Sequence, residues 1–193
     1  EWVLAGGPED GIDRALGLRR ARAATLFELA LPGSAYLYQG EELGLHEVAE
    51  IPDEQRQDPA FWRTTAEDRG FDGLGRDGCR VPLPWTPDGP SLGFGSDEPH
   101  LPQPTRFRDL AVSRQDADSR SPLNVYRRAL RLRAQLQDGE DMEWLDSPQG
   151  TVALRRHDGW VCVANLTSTP IDLPSGEVLL TSADLVSGKL PEA

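Results

Sequence analysis

Cysteine is nearly absent: Cys79 and Cys162 are the only two in 193 residues, far apart and with no CxxC partner. That excludes a disulfide framework and a thiolate zinc site, and both thiols read as reduced. Basic charge is also scarce, with 20 Lys and Arg against 32 Asp and Glu, a net charge of -12. Such a balance repels phosphate backbones and anionic lipid, which argues against nucleic-acid and membrane-surface roles but not against a neutral ligand such as a sugar. No apolar run approaches the length needed to span a bilayer, and no basic segment followed by an apolar one opens the chain. A cytoplasmic location is expected. No repeat of solenoid or propeller period is present. The three histidines, His46, His100 and His157, have no metal-ligand spacing with Cys, Asp or Glu, so no cofactor or metal is expected.

What is abundant is turn chemistry, 19 Gly and 16 Pro, interrupted by a few periodic segments. Trp2, Val3 and Leu4 read as the end of a buried strand running into the breaker Ala5-Gly6-Gly7-Pro8. Asp13 can cap a helix over residues 14–31, closed by Pro32-Gly33 and apolar on nearly all sides in its second half, so that more than one neighbour must cover it. Residues 34–38 read as a short strand, with Tyr36 and Tyr38 on one face, where they could pack sugar rings but are more often core. Strand, helix, strand is the pattern of a parallel sheet or barrel. Residues 44–120 show little periodicity, a length beyond ordinary loops that points to a functional insertion, disorder or a missing scaffold. Ser121-Pro122 opens a second helix ending near residue 137. Beyond Gly139 come short β-rich runs at 151–155, 160–166, 170–173 and 177–181, with His157-Asp158-Gly159 as a hairpin turn, so a boundary is expected near Gly139.

Residues 16–45, LGLRRARAATLFELALPGSAYLYQGEELGL, resemble the seventh barrel helix, eighth strand and following loop of the alpha-amylase family, glycoside hydrolase family 13. GRDGCRVPLPW, residues 75–85, resembles the stretch of its alpha-glucosidases and oligo-1,6-glucosidases that borders the substrate site. Ile51-Pro52-Asp53, residues 56–59 (RQDP) and residues 92–95 (LGFG) fit the same subgroup. The resemblance implies an α/β fold: the C-terminal portion of a (β/α)8 TIM barrel over residues 1–138, with a long loop after the eighth strand at about 40–120. A small antiparallel β-sandwich over 139–193, lacking its final strand, would follow. It also implies a glycoside hydrolase that cleaves terminal alpha-glucosidic bonds of malto- or isomalto-oligosaccharides by a retaining mechanism. The family's nucleophile, acid/base and Asn-His-Asp residues match no position here, and Ala5-Gly6-Gly7-Pro8 stands where Asn-His-Asp would follow Leu4. The chain alone is therefore expected to be inactive. A degenerate member that binds sugar or a partner without catalysis is the alternative.

By the same resemblance Arg76, Arg80 and Asp77 are the substrate-side candidates, Arg76 reaching sugar hydroxyls or carboxylates and the other two more readily holding the loop. Arg76 could instead pair with Asp72 or Asp77 on the surface. Adjacent Glu41 and Glu42 cannot flank a scissile bond if they point oppositely on an extended segment, and a structural role is expected for them. Phe71, Trp85 and Phe94 are either a sugar-stacking platform or anchors for the loop. The Asn165-Leu166-Thr167 sequon falls inside an expected strand and is taken as chance.

Overall fold

A computed structural model describes residues 13–63, 75–137 and 139–193. The strand expected at Trp2 to Leu4, the breaker after it, Phe71 and Asp72 lie outside the described residues. Two compact units divide the chain, one comprising residues 1–38 with 124–193 and the other 39–123. The β-rich segment after Gly139 lies in the same unit as the two long helices, and most of the long loop lies in the other.

In the first unit, helix α1 (Arg14–Ala30) begins where Asp13 Oδ1 accepts the Leu16 N–H at 2.9 Å. It stops because Leu31, preceding Pro32, is forced to extended backbone (φ -67°, ψ 151°). The second long helix, α4 (Pro122–Leu136), is met further along the chain. Thr25 and Tyr126 share a buried hydroxyl hydrogen bond of 2.8 Å, and Arg133 donates to the carbonyls of Leu29 and Leu31. Residue numbers rise together along both contacts, so α1 and α4 run side by side in one direction, as successive helices of βα repeats do.

A three-stranded antiparallel meander follows, β1 (Met142–Trp144), β2 (Thr151–Arg156) and β3 (Val161–Asn165), in the order β1-β2-β3. Gly159 (φ 83°) closes the hairpin, its N–H donating to Arg156 O at 2.8 Å while Arg156 N–H donates to Trp160 O at 2.9 Å. This is the three-residue turn with a left-handed glycine that His157-Asp158-Gly159 encodes. Phe27 of α1 stacks on Trp144 at 6.1 Å between centroids. Arg156, 3% exposed, donates to Ala30 O (2.9 Å), Gly139 O (2.8 Å) and Asp141 O (3.0 Å), and its guanidinium lies 5.7 Å from the Trp160 ring centre. Trp160 Nε1 donates to Leu136 O at 3.1 Å. The last carbonyls of both helices are therefore closed by Arg133, Arg156 and Trp160, and two of these groups are cations suited to the negative helix end. Asn165, 1% exposed, gives its amide hydrogens to Thr169 O and Leu190 O, so the sequon asparagine is an internal brace.

Three expectations fail in this unit. Residues 34–38 form no strand, and Tyr36 and Tyr38 are 87% and 43% exposed, not core. The runs at 170–173 and 177–181 form no strand either; Ile171 makes a single antiparallel bridge to Leu190, and Val178 and Leu179 are about half exposed. A β-prone run becomes a strand only when a neighbour satisfies its backbone along its length, and among the described residues only the Ile171–Leu190 bridge does so here. Among the described residues the sheet has three antiparallel strands. Its first strand, β1, carries only three residues and gave no sequence signal.

The second unit is built from short pieces: α2 (Pro59–Arg63), α3 (Val112–Asp116) and 3-10 turns at Glu41–Leu43, Asp53–Gln55, Asp77–Cys79, Pro90–Gly93 and Thr105–Arg108. Val48, Ile51, Val81, Leu92, Leu101 and Phe107 nonetheless form a buried cluster, with Leu45 packed against it. Gln115, 5% exposed, replaces absent regular structure with side-chain bonds: its Nε2 donates to Leu43 O and Leu110 O, each at 2.8 Å, and its Oε1 accepts the Leu123 N–H at 3.1 Å. The Ser121 hydroxyl donates to Gln115 O at 2.8 Å, so this glutamine shares in starting α4. Gln115→Ala leaves two carbonyls and one N–H without that partner, and is expected to cost about 2–4 kcal/mol, read as a lower urea midpoint.

Candidate functional site

The 75–80 segment is positioned by a cross-latch with residues 56–61. Asp58 precedes Pro59, the pairing of a capping acid with proline at the first helical position, and its Oδ1 accepts the Ala60 N–H at 2.9 Å. Its Oδ2 accepts the Arg76 N–H at 2.8 Å and a hydrogen bond from Arg80 Nη2. In the opposite sense, Asp77 Oδ2 accepts the N–H groups of Gln57 (2.8 Å) and Asp58 (2.9 Å). Each carboxylate thus fixes the other segment's backbone.

Two glycines permit the approach. Gly75 has φ +69°, and a Cβ there would lie 3.0 Å from Asp58 Cβ. At Gly78 a Cβ would lie 2.7 Å from the Val48 carbonyl oxygen, and Gly78 O accepts the Val48 N–H at 3.1 Å. The guanidinium of Arg56, 7% exposed, stacks 4.6 Å from the Phe61 ring centre and donates to Ala49 O at 2.7 Å.

Against that frame the sequence-derived residues fall into two sets. Asp77 is 1% exposed, its carboxylate turned inward to the 57–58 amides rather than to Arg76. Arg80 is half exposed, paired with Asp58 and donating its Nε to Arg76 O at 3.1 Å. Arg76 is held by its backbone, whose N–H and carbonyl are both engaged, while its residue is exposed. Glu41 and Glu42 lie on a 3-10 turn entered through Gly40 (φ 97°), not on an extended segment. Glu42 Oε2 accepts the Gly40 N–H at 2.8 Å, the structural use expected of it.

Trp85 and Phe94 are 50% and 54% exposed. The turn between them is held by Trp85 N–H and Thr86 N–H on Leu92 O (2.8 and 2.9 Å), and Ser91 and Leu92 take left-handed φ values of 46° and 49°. Gln103 Nε2 fixes that conformation from Ser91 O at 2.9 Å.

Asp58 is the residue that sequence reasoning did not single out, although Asp-Pro at a helix start was its signal. The Ala60 and Arg76 N–H groups hold its carboxyl below the usual range, with the charges of Arg80 and Arg63 adding to them and partial burial opposing. A depressed folded value means that the latch's contribution is complete above about pH 4, the unfolded value, and is lost as pH falls through the lowered one. Hydrogen exchange at the Ala60 and Arg76 amides, corrected for intrinsic rate, is expected to accelerate on acidification below pH 4. In Asp58→Asn that pH dependence disappears.

Residues 10–139 match the family model "Alpha amylase, catalytic domain". A probable alpha-glucosidase of Rhizobium meliloti (strain 1021) is 43% identical over 110 residues, 54% of this chain and 18% of that protein. A probable oligo-1,6-glucosidase of Bacillus subtilis (strain 168) is 26% identical over 86% of this chain and 33% of its own length. The crystal structure of the alpha-glucosyl transfer enzyme XgtA superposes with a TM-score of 0.63 at 35% identity, covering 81% of this chain and 29% of that one. The trehalulose synthase MutB gives a TM-score of 0.71 at 23% identity over 89% of this chain and 36% of its own, a likeness of fold alone. The chain spans about a fifth to a third of the length of the curated relatives just named. With a catalytic-domain match over most of its length, the chain belongs to the alpha-amylase family, in its alpha-glucosidase and oligo-1,6-glucosidase subgroup.

Proposed function

We propose that this chain is the C-terminal part of an alpha-glucosidase that hydrolyses terminal alpha-glucosidic bonds of malto- or isomalto-oligosaccharides with retention. Residues 1–138 belong to its (β/α)8 barrel, and 139–193 to the following β domain. The observation that supports this reading is the latched 75–80 loop, in which Asp58 and Asp77 fix the backbone around the exposed residue Arg76. At the substrate side Arg76 donates hydrogen bonds to sugar hydroxyls or to a catalytic carboxylate, in a geometry that a planar guanidinium fixes.

The chemistry needs a carboxylate nucleophile and a second carboxylic acid that protonates the leaving oxygen. Those groups come from barrel strands outside this chain, so the chain alone is inactive. Glu41 and Glu42 share one 3-10 turn and Glu42 accepts the Gly40 amide, which supports a structural role for the pair. No helix among the described residues is long and apolar enough to cross a membrane. Proton NMR of maltose and isomaltose turnover tests the reading. No hydrolysis is expected from this chain, and the polypeptide carrying the other strands releases glucose first as the α-anomer. Release of the β-anomer would refute the retaining mechanism. Ala5-Gly6-Gly7-Pro8, in place of Asn-His-Asp, favours the second reading, a sugar- or partner-binding relative without catalysis. Turnover by the longer polypeptide eliminates it.

A further inference from the structure

The backbone of Arg76 lies inside a closed circuit of hydrogen bonds. Its N–H donates to Asp58 Oδ2 at 2.8 Å, and its carbonyl accepts the Arg80 Nε–H at 3.1 Å. The same guanidinium then donates through Nη2 to the same carboxylate oxygen, Asp58 Oδ2, which completes the circuit. One ion pair therefore grips Arg76 on both sides of its Cα. The Cys79 N–H (3.3 Å) and thiol (3.1 Å) add to the carbonyl side.

Each partner of the pair is anchored without help from Arg76. Asp58 stands at the start of α2, where Oδ1 accepts the Ala60 N–H at 2.9 Å and its own N–H donates to Asp77 Oδ2 at 2.9 Å. Arg80 follows the Asp77–Cys79 turn, and its N–H donates to Asp77 O at 2.9 Å. The carboxylate is packed close to the loop: a Cβ on Gly75 would lie 3.2 Å from Asp58 Oδ2. Arg80 is half exposed, as a sugar ligand would be, yet Nε and Nη2 are both turned back on Arg76 and Asp58. A planar guanidinium suits that double use, because one edge of it addresses two acceptors in fixed geometry.

We propose that Asp58 and Arg80 are positioning residues: their ion pair, closed around the Arg76 backbone, aims that side chain at the substrate, and neither of the two touches sugar itself. This role rests on the sugar-facing role proposed above for Arg76. A guanidinium at the end of a long side chain magnifies any turn of the peptide planes that carry it, and a misplacement of about 1 Å costs roughly a hundredfold in rate. Arg80 thereby passes from the substrate side of the loop to its frame.

Arg80→Gln opens the circuit from its exposed side, since the shorter amide cannot reach both acceptors, and it leaves the Asp58 cap on Ala60 in place. Asp58→Asn opens it from the other side, with one oxygen where the carboxylate has two. In this chain, exchange at the Arg76 amide is expected to quicken about fivefold or more in Arg80→Gln, while the Ala60 amide, bonded to Oδ1, changes less than about twofold. In the polypeptide carrying the other barrel strands, each variant is expected to lower kcat/KM for maltose about tenfold or more, with the loss divided between kcat and KM as in Arg76→Ala. Placed in the Arg76→Ala background, neither should cost more than about a further twofold, because a residue that acts through Arg76 then has nothing to act on. Equal losses in the two backgrounds would overturn the proposal, as would an Arg76 amide unmoved by Arg80→Gln. A large loss in Arg76→Ala with both variants within twofold of the parent would overturn the positioning role alone. Arg76→Ala within twofold of the parent, or a parent without turnover, would overturn the role of Arg76 and this one with it.

Discussion

Replacing Arg156 by Ala should lower the stability of the helix-and-sheet unit by about 3–5 kcal/mol, among the largest losses any single side chain here can produce. The reason is the number of groups that one buried guanidinium serves. It spans Ala30 O at the end of α1, Gly139 O and Asp141 O ahead of β1, and the face of Trp160. Removing it uncaps α1 and strands three carbonyls near the sheet, while the volume of a long side chain goes unfilled. Arg156→Lys should recover less than half of the loss, since an ammonium cannot address three diverging carbonyls in one plane. Urea unfolding followed by circular dichroism measures both. Equal stability of Arg156→Ala and the parent would mean that the sheet is not held to the helix ends by this residue.

Gly78→Ala should damage the other unit by about 2–3 kcal/mol. The added methyl meets the Val48 carbonyl oxygen at 2.7 Å, a backbone atom that cannot rotate aside, and the Glu47 side chain at the same distance. Relief requires moving the Asp77–Cys79 turn, and with it the Asp77 carboxylate that holds the Gln57 and Asp58 amides. Gly95→Ala is the matched control, because nothing lies within 4 Å of a Cβ there, and its effect should stay within about 0.5 kcal/mol. Differential exchange at the Asp58 and Arg76 amides shows whether the latch opens with the clash.

The readable parts of this molecule are those whose cause is local. Asp13 with Pro32 bounds α1, Ser121-Pro122 opens α4, and His157-Asp158-Gly159 turns β2 into β3, because caps and turns are settled within four residues. Residues 34–38 and 177–181 form no strands because β-prone composition states a capacity that only a neighbour realises. The compactness of residues 39–123 was hidden for a different reason. Its core is assembled from single residues such as Val48, Leu101 and Phe107, spaced without period, and its backbone is satisfied by Gln115, Asp58 and Asp77 across separations that no window of sequence reveals. Within the candidate site, family likeness pointed to Arg76, Asp77 and Arg80, but the latch partner Asp58 emerged only from the geometry.

The sugar-facing role proposed for Arg76, on a loop that Asp58, Asp77 and Arg80 hold in place, is open to direct measurement. The direct measurement is kcat/KM for maltose in the polypeptide that carries the remaining barrel strands, with Arg76→Ala compared against the parent and with melting temperature recorded for both. Loss of an interaction made to the substrate or its carboxylate predicts a fall of about a hundredfold, roughly 2.7 kcal/mol, with the melting temperature nearly unchanged. An Arg76→Ala enzyme within twofold of the parent in kcat/KM would contradict the account.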